Sequence, residues 1–388
     1  MTAGGTAAAA MDVPRRRNCK MDGRIRYLEQ WEKHKTRSLY ETAFREDSRE
    51  FVDYYYQWKM KDNEVIVMEE GQSVRDGFFH VMMHANPYIL WINGRLERIP
   101  YLVAVATAPF CRRQGKMGRV LRYFLQDLEH KRVPFTFLLP ADPAYYKGQG
   151  FVFFPDMNLT GVIQKTGRGT IQAAAAHSFY SDRNWQPAGK TDIPQMMEFS
   201  DKVLRARHDM VISRDQYYYL RLLAETAVEH GGILLLRHKG ELRGMLTYAQ
   251  AAVSETQLQD RVEIKELLLE EMVLEEEGID ISRDALKSAK AAGTLIPAAA
   301  FGFGKMMVRI TSLAAVVPLL KSRGRRSLYV KVFDPVIEKN NGCFRIILDS
   351  SGGSIRRIAE KEVRVSMDIA ALTRELFKDV SVYLNEWV

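Results

Sequence analysis

Tyr101-Leu-Val-Ala-Val-Ala-Thr107, Ala108-Pro-Phe-Cys111 and Arg112-Arg-Gln-Gly-Lys-Met-Gly-Arg119 follow one another without a break. The first seven residues are almost wholly apolar, as expected of a strand covered on both faces. Pro109 stops it, because proline has no N–H to give to a ladder. From Met117 the apolar residues fall at 117, 120, 121, 124, 125 and 128, a helical period. A helix that starts among glycines leaves several backbone N–H groups unpaired, and its dipole adds partial positive charge there. Arg112, Arg113, Lys116, Arg119 and Arg122 surround that start, and no acidic residue lies between Phe110 and Leu125. The stretch is suited to an anion with several phosphates. It is neither a Gly-x-Gly-x-x-Gly fingerprint nor a P-loop ending in Gly-Lys-Ser/Thr.

Outward from that stretch, Pro134-Phe-Thr-Phe-Leu-Leu-Pro140 reads as a short buried strand, followed by Ala141-Asp-Pro-Ala-Tyr-Tyr-Lys-Gly-Gln-Gly-Phe151. Strand, Arg-Arg-Gln-Gly turn, helix, strand and Tyr-x-x-x-Gly-Phe in this order resemble the acetyl-CoA core of the GNAT acyltransferases.

Upstream, residues 1–24 read as a disordered tail. A helical stretch is expected from Ile25 through Phe44. A second helix is expected over Phe51 to Trp58, with Ser48 as its N-cap. Strands are expected at 65–69, 77–83 and 88–92. Of the run Tyr54-Tyr55-Tyr56, at least one side chain should point outward or into a cleft, since three in a row cannot share one face.

Downstream, 193–207 and 215–229 read as helices, and 232–237 with 242–248 as a hairpin. Residues 262–268 are a further strand candidate. These elements resemble a second GNAT-like unit without an Arg-x-x-Gly turn, expected to hold no cofactor. The acidic run Glu270, Glu271 and Glu275 to Glu277 is expected to be a solvated helix face. The last part is expected to begin near Gly304. It has a strand at 327–333, an Asn341-Gly342 hairpin signal, a half-buried strand through Val363, Val365 and Met367, and a helix capped by Asp368. It resembles a sterol-carrier-protein-like domain. The expected fold class is therefore α+β: two GNAT units over 25–155 and 156–297, then a sterol-carrier-like antiparallel sheet over 298–388.

Three units in that order resemble the enhanced-intracellular-survival (Eis) family of N-acetyltransferases. The resemblance implies acetyl-CoA as cosubstrate, no metal, and acetylation of an amine on an aminoglycoside, a polyamine or a lysine. By position it implies that Val105, Ala106 and Thr107 meet the acyl and pantetheine arm. It places the pyrophosphate on Arg113, Gln114, Gly115, Lys116, Met117 and Gly118, with Ala141 and Asp142 on the adjacent strand. Tyr146 is implied as general acid, selected over Tyr145 by the Tyr-x-x-x-Gly-Phe spacing, and the α-carboxylate of Val388 as base. Glu46, Asp47 and Tyr55 are implied to line the acceptor mouth. Met117 departs from the pattern, which has glycine or alanine there in many members, and the stretch after Phe377 is short. The chemistry is sound, because a tyrosine of reference pKa about 10 is nearly matched to a departing thiol. The alternatives are a CoA-binding regulator without catalysis and a lipid carrier that keeps the GNAT part as scaffold.

The 388 residues are 46% hydrophobic and 27% charged, the balance of a globular protein, and suffice for two or three domains. Net charge is +8, but residues 1–26 hold six basic and two acidic side chains, so the remainder is only mildly basic. No nucleic-acid module accompanies that charge, so no nucleic-acid partner is expected. No apolar run reaches the roughly 18 residues a membrane span needs. Cys19, Cys111 and Cys343 are too scattered for a metal knuckle or a disulfide framework, which favours a reducing, cytoplasmic setting and a structural thiol at Cys111. A homo-oligomer is compatible with all of this.

Overall fold

The computed structural model describes residues 23–69, 78–155, 171–172, 185–250, 261–270 and 306–386. The first segment runs β1 (Arg24–Tyr27), α1 (Arg37–Ala43), α2 (Arg49–Trp58), β2 (Glu64–Glu69), β3 (Phe79–Ile92), β4 (Arg95–Thr107), α3 (Lys116–His130), β5 (Phe135–Leu138), α4 (Ala144–Lys147) and β6 (Val152–Phe153). The second adds β7 (Ile171–Gln172), β8 (Trp185–Pro187), α5 (Ile193–Arg207), β9 (Met210–Ile212), α6 (Gln216–Val228), β10 (Gly232–His238), β11 (Glu241–Gln250) and β12 (Arg261–Leu269). The third contains β13 (Met307–Ile310), α7 (Leu313–Val316), β14 (Arg326–Phe333), β15 (Gly342–Asp349), β16 (Gly352–Arg357), β17 (Val365–Asp368), α8 (Ile369–Phe377) and β18 (Val382–Tyr383).

Three sheets result. The largest has nine strands in the path β1-β2-β3-β4-β5-β13-β6, with β9 on β3 and β18 on β9. A five-stranded sheet orders β7-β12-β11-β10-β8, and a four-stranded one β16-β15-β14-β17. The sheets do not follow the three segments of sequence. Met307–Ile310, expected to open the last unit, lies between β5 and β6 of the first sheet. Its four residues are all buried, which suits a central strand.

Several local expectations hold. Ser48 Oγ accepts from the Phe51 N–H at 3.1 Å, and Asp368 Oδ1 from the Ala371 N–H at 2.6 Å, so both cap their helices. The Val120, Leu121, Phe124, Leu125 and Leu128 stripe of α3 is buried against β2 to β5. Other expectations need correction. Ile25 sits in a strand, because Arg26 is held by Glu32 at 2.7 Å and Glu69 at 2.8 Å while β1 pairs with β2. The two strands expected before Ile92 are one, with Pro87 inside it opposite Pro100. Asn341 and Gly342 do not form a two-residue turn: Asn341 Oδ1 accepts from the Asp334 N–H at 2.6 Å, and Gly342 begins β15. The last sheet is not purely antiparallel, since β17 runs parallel to β14, and Val365 is 37% exposed.

Candidate active site

Strands β3 and β4 slip register between Met82↔Ala106 and His84↔Val103, so two residues of β4, Ala104 and Val105, oppose Met83 alone. Ala104 takes φ 50° at this bulge. Bulges bend a strand and re-aim it. On its other edge β4 pairs in parallel with β5 only at Tyr101↔Phe137 and Leu102↔Leu138. β5 ends at Leu138, so the ladder stops after Leu102 and residues 103–107 lie outside it. Val105, Ala106 and Thr107 lie at the C-terminal end of β4, beyond its last pair with β5. Ala141 and Asp142, just past β5, are exposed. Asp142 Oδ1 is engaged with the Ala144 N–H at 2.8 Å, so that side chain starts α4.

The turn after β4 closes onto the start of α3. Arg112 Nε donates to Thr107 O at 3.2 Å, and Gln114 Nε2 to Phe110 O at 3.1 Å. Arg113 has φ 59° and Gly115 φ 70°, the latter as the N-cap of α3. A Cβ at Gly115 would meet nothing within 4 Å, so the surroundings are open and the left-handed backbone alone asks for glycine. The open ground before unpaired N–H groups fits a phosphate. Lys116 differs from a surface phosphate binder: its side chain is buried and Nζ lies 3.0 Å from His80 Nδ1 on β3, leaving only its backbone at the turn. Met117 is half-buried against the α3 core, and a Cβ at Gly118 would make ordinary contact with Gln149. Cys111 is buried and disulfide-bonded, which corrects the expectation of a thiol.

The two candidate acids part clearly. Tyr145 is 62% exposed, whereas Tyr146 is 7% exposed with its ring edge-on to Phe151 at 5.7 Å. Burial pushes the Tyr146 hydroxyl up to about 12, with the neighbouring Tyr145 adding to the shift, so it is protonated at neutral pH. Its short helix is clamped from β13. Arg309 Nε donates to Gln149 O at 2.7 Å, and Arg309 also pairs with Asp334 at 2.7 Å, both side chains wholly buried. Gly150 has φ 85°, and a Cβ there would come within 2.7 Å of Arg309 Nε. The glycine of Tyr-x-x-x-Gly-Phe is thus needed for both its conformation and this close approach.

The acceptor-side residues are placed less as expected. All three tyrosines of α2 turn inward. Tyr54 donates to Glu225 at 2.8 Å, Tyr55 lies 3.0 Å from His84 Nδ1, and Tyr56 lies 2.9 Å from Thr36 Oγ1. Tyr55 is fully buried, so it is a core residue and not an exposed acceptor wall. Glu46 is exposed. Asp47 is half-buried and accepts from Tyr40 at 2.8 Å; burial raises its carboxyl, against the lowering effect of that hydrogen bond. Val388, the expected base, lies outside the described residues, which end at Glu386.

What sequence reading missed is where the segment up to Glu386 packs. The Tyr101 hydroxyl, on the last paired turn of β4, donates to Glu386 O at 3.4 Å. The Leu139 N–H approaches the same hydroxyl, and both Glu386 and Tyr146 lie near enough to perturb it electrostatically. Tyr383 donates to Glu266 at 2.7 Å, Tyr218 to Glu386 Oε1 at 2.9 Å, and Asn385 to Lys265 O at 2.8 Å. These partners come from α6 and β12, so no local pattern near residue 386 signals them.

The model of the acetyltransferase (GNAT) domain family matches residues 24–154. Over that range the chain is similar to a GNAT acetyltransferase domain. The GNAT fold uses an acyl-CoA cosubstrate, and the end of the β4–β5 ladder and the glycine turn lie inside the matched range. No curated protein matches the chain significantly. Among solved structures it resembles a probable N-acyltransferase from Enterococcus faecalis V583 at 15% identity and TM-score 0.65, over 91% of this chain and 89% of that one. A GCN5-related N-acetyltransferase from Kribbella flavida aligns at 14% identity and TM-score 0.62, over 94% and 100%. Eis1 from Mycobacterium abscessus aligns at 15% and 0.56, over 91% and 89%. At such identities the likeness is one of fold, and it extends well beyond the GNAT domain into an Eis-like arrangement. Among the described residues no helix is long and apolar enough to cross a membrane, and no His, Cys, Asp and Glu side chains gather as a metal site.

Proposed function

We propose that the chain transfers an acetyl group from acetyl-CoA to a primary amine, carried by an aminoglycoside, a polyamine or a lysine. The observation that carries this reading is the parting of β4 and β5 after Leu102, beside a buried Tyr146 and in line with the open glycine start of α3. In this reading the backbone of Val105, Ala106 and Thr107 holds the acyl and pantetheine arm, with Ala141 and Asp142 opposite. Backbone N–H groups from Arg113 to Gly118 hold the pyrophosphate. Tyr146 delivers a proton to the departing thiolate; its high pKa keeps that proton in place until the sulfur needs it. The amine loses its proton to the C-terminal end of the chain, for which the α-carboxylate of Val388 is the candidate. The second unit and the sterol-carrier-like last sheet brace that end. The test is thiol release on mixing acetyl-CoA with spermidine, kanamycin or a lysine peptide. Release with an N-acetylated product supports the reading. Acetyl-CoA binding with no thiol from any acceptor would favour a regulator instead.

A further inference from the structure

The reaction proposed above has two protons to dispose of, and its candidate acid and base account for one. An alkylamine is an ammonium at neutral pH, with a pKa near 10. Before nitrogen can attack, that first proton must leave. The second leaves as the C–N bond forms.

A cavity of about 30 Å³ lies between the end of α2, β3, α6, β12 and the C-terminal segment, with room for about one water. Three carboxylates line it: Glu225, Glu266 and Glu386. Two of them are held by cations. Glu225 lies 3.6 Å from Lys59 and 3.9 Å from Lys265, and Arg214 grips Glu266 through two bonds of 2.7 and 2.6 Å. Glu386 is different. It is 9% exposed, accepts from Tyr218, and among the described residues has no ion pair. Its backbone carbonyl is tied to the Tyr101 hydroxyl, which both Glu386 and Tyr146 perturb electrostatically.

We propose that the Glu386 carboxylate takes the first proton from the incoming ammonium and hands it to water in the cavity. The step rests on the acetyl-transfer reading and is balanced. R–NH₃⁺ and the carboxylate give R–NH₂ and the carboxylic acid, which then returns its proton to solvent. The amine lone pair forms the C–N bond, the C–S bond breaks with its electron pair on sulfur, and Tyr146 protonates the sulfur. The second nitrogen proton goes to the C-terminal base and restores the tyrosine, so one proton is released per turnover.

The surroundings suit this role. Burial raises the Glu386 carboxyl to about 7, against the lowering effects of Arg214, Lys59 and the Tyr218 hydroxyl, with Glu225 adding to the rise. The other charged or titratable groups around it are Arg221 and Lys265 at the cavity wall, Glu266, and the tyrosines 88 and 101. Transfer from an ammonium is then uphill by about a thousandfold, against about a millionfold for an ordinary glutamate. A group half-ionised at neutral pH also gives the proton back readily.

The experiment compares kcat/KM against pH for spermidine and for a hydrazide, whose nucleophilic nitrogen is already neutral. With wild type and spermidine, kcat/KM should fall about tenfold per pH unit below about 7 and level off above it. Glu386→Gln should lower the spermidine value at pH 7 by about a hundredfold and recover most of it above pH 9, with the hydrazide reaction changed less than about threefold. A limb near 7 that survives in the variant, or equal losses for the two acceptors, overturns the proposal. Should the variant not fold, wild type decides: a limb that climbs on to the amine's own pKa overturns it. Wild type that binds acetyl-CoA and acetylates neither acceptor removes the acetyl-transfer reading as well.

Discussion

The first and second units are both sheets flanked by helices, yet they handle strand edges oppositely. In the first, β4 and β5 run parallel, pair at two positions and then part, beside a bulge and a glycine helix start. In the second, β10, β11 and β12 pair antiparallel along most of their length, and the hairpin turns tightly at Lys239 and Gly240. A sheet whose ladders close leaves no unpaired backbone to meet a ligand. The second unit's buried polar groups go instead to its neighbours. Glu225 receives Tyr54, Glu266 receives Tyr383, and Tyr218 reaches Glu386. In the proposed reading the first opens its backbone to acetyl-CoA, while side chains of the second hold the C-terminal segment.

The largest expected effect tests the opening itself. Gly115→Glu should abolish acetyl-CoA binding by calorimetry, because it puts bulk and negative charge where phosphate approaches at a left-handed position. The matching change Gly240→Glu, also left-handed with open space around it, should leave binding unchanged. Equal loss at both positions would erase the contrast between the units.

Next comes the brace. Arg214→Met leaves Glu266 buried without its cation and should cost about 3–5 kcal/mol by denaturant unfolding. Acetyl transfer should fall further than the folded fraction does, since Tyr383 and the chain end share that carboxylate. Tyr146→Phe should lower kcat about a thousandfold with acetyl-CoA affinity within about twofold, and Tyr145→Phe should do little.

The smallest effect concerns stability and carries a definite sign. The folded-state pKa of Glu386 is raised from 4.5 to about 7, so its protonated form favours folding. That contribution is complete below about pH 4.5 and is lost as pH rises through 7. Glu386→Gln, which never ionises, should therefore stabilise the protein at pH 8 by up to about 3 kcal/mol and be neutral at pH 4. A substitution that slows catalysis and raises Tm only at high pH would mark Glu386 as a strained functional carboxylate.

Much of the local structure around the candidate site was legible in sequence because its parts are local. A strand stopped by Pro109, a glycine at the helix start, and Tyr146 four residues before Gly150 each declare themselves within one or two turns of chain. Residues 307–310 were legible only as the start of the last part and not as a member of the first sheet, since pairing across more than 150 residues leaves no local mark. The same holds for Arg309 clamping the Tyr146 helix and for Glu386 in its cavity. Tyr55 was misplaced for a different reason: aromatic residues on a helix read alike whether they line a cleft or fill a core, and His84 decides the matter from another strand.

The account's central claim is that acetyl-CoA enters the first sheet where β4 and β5 part. A crystal structure of the full chain with CoA tests it most directly. The account predicts the pantetheine arm between 103–107 and 139–142, and the pyrophosphate on backbone N–H groups from Arg113 to Gly118. CoA bound against the β10–β11 hairpin, or on the last sheet with the β4–β5 gap closed by side chains, would contradict it.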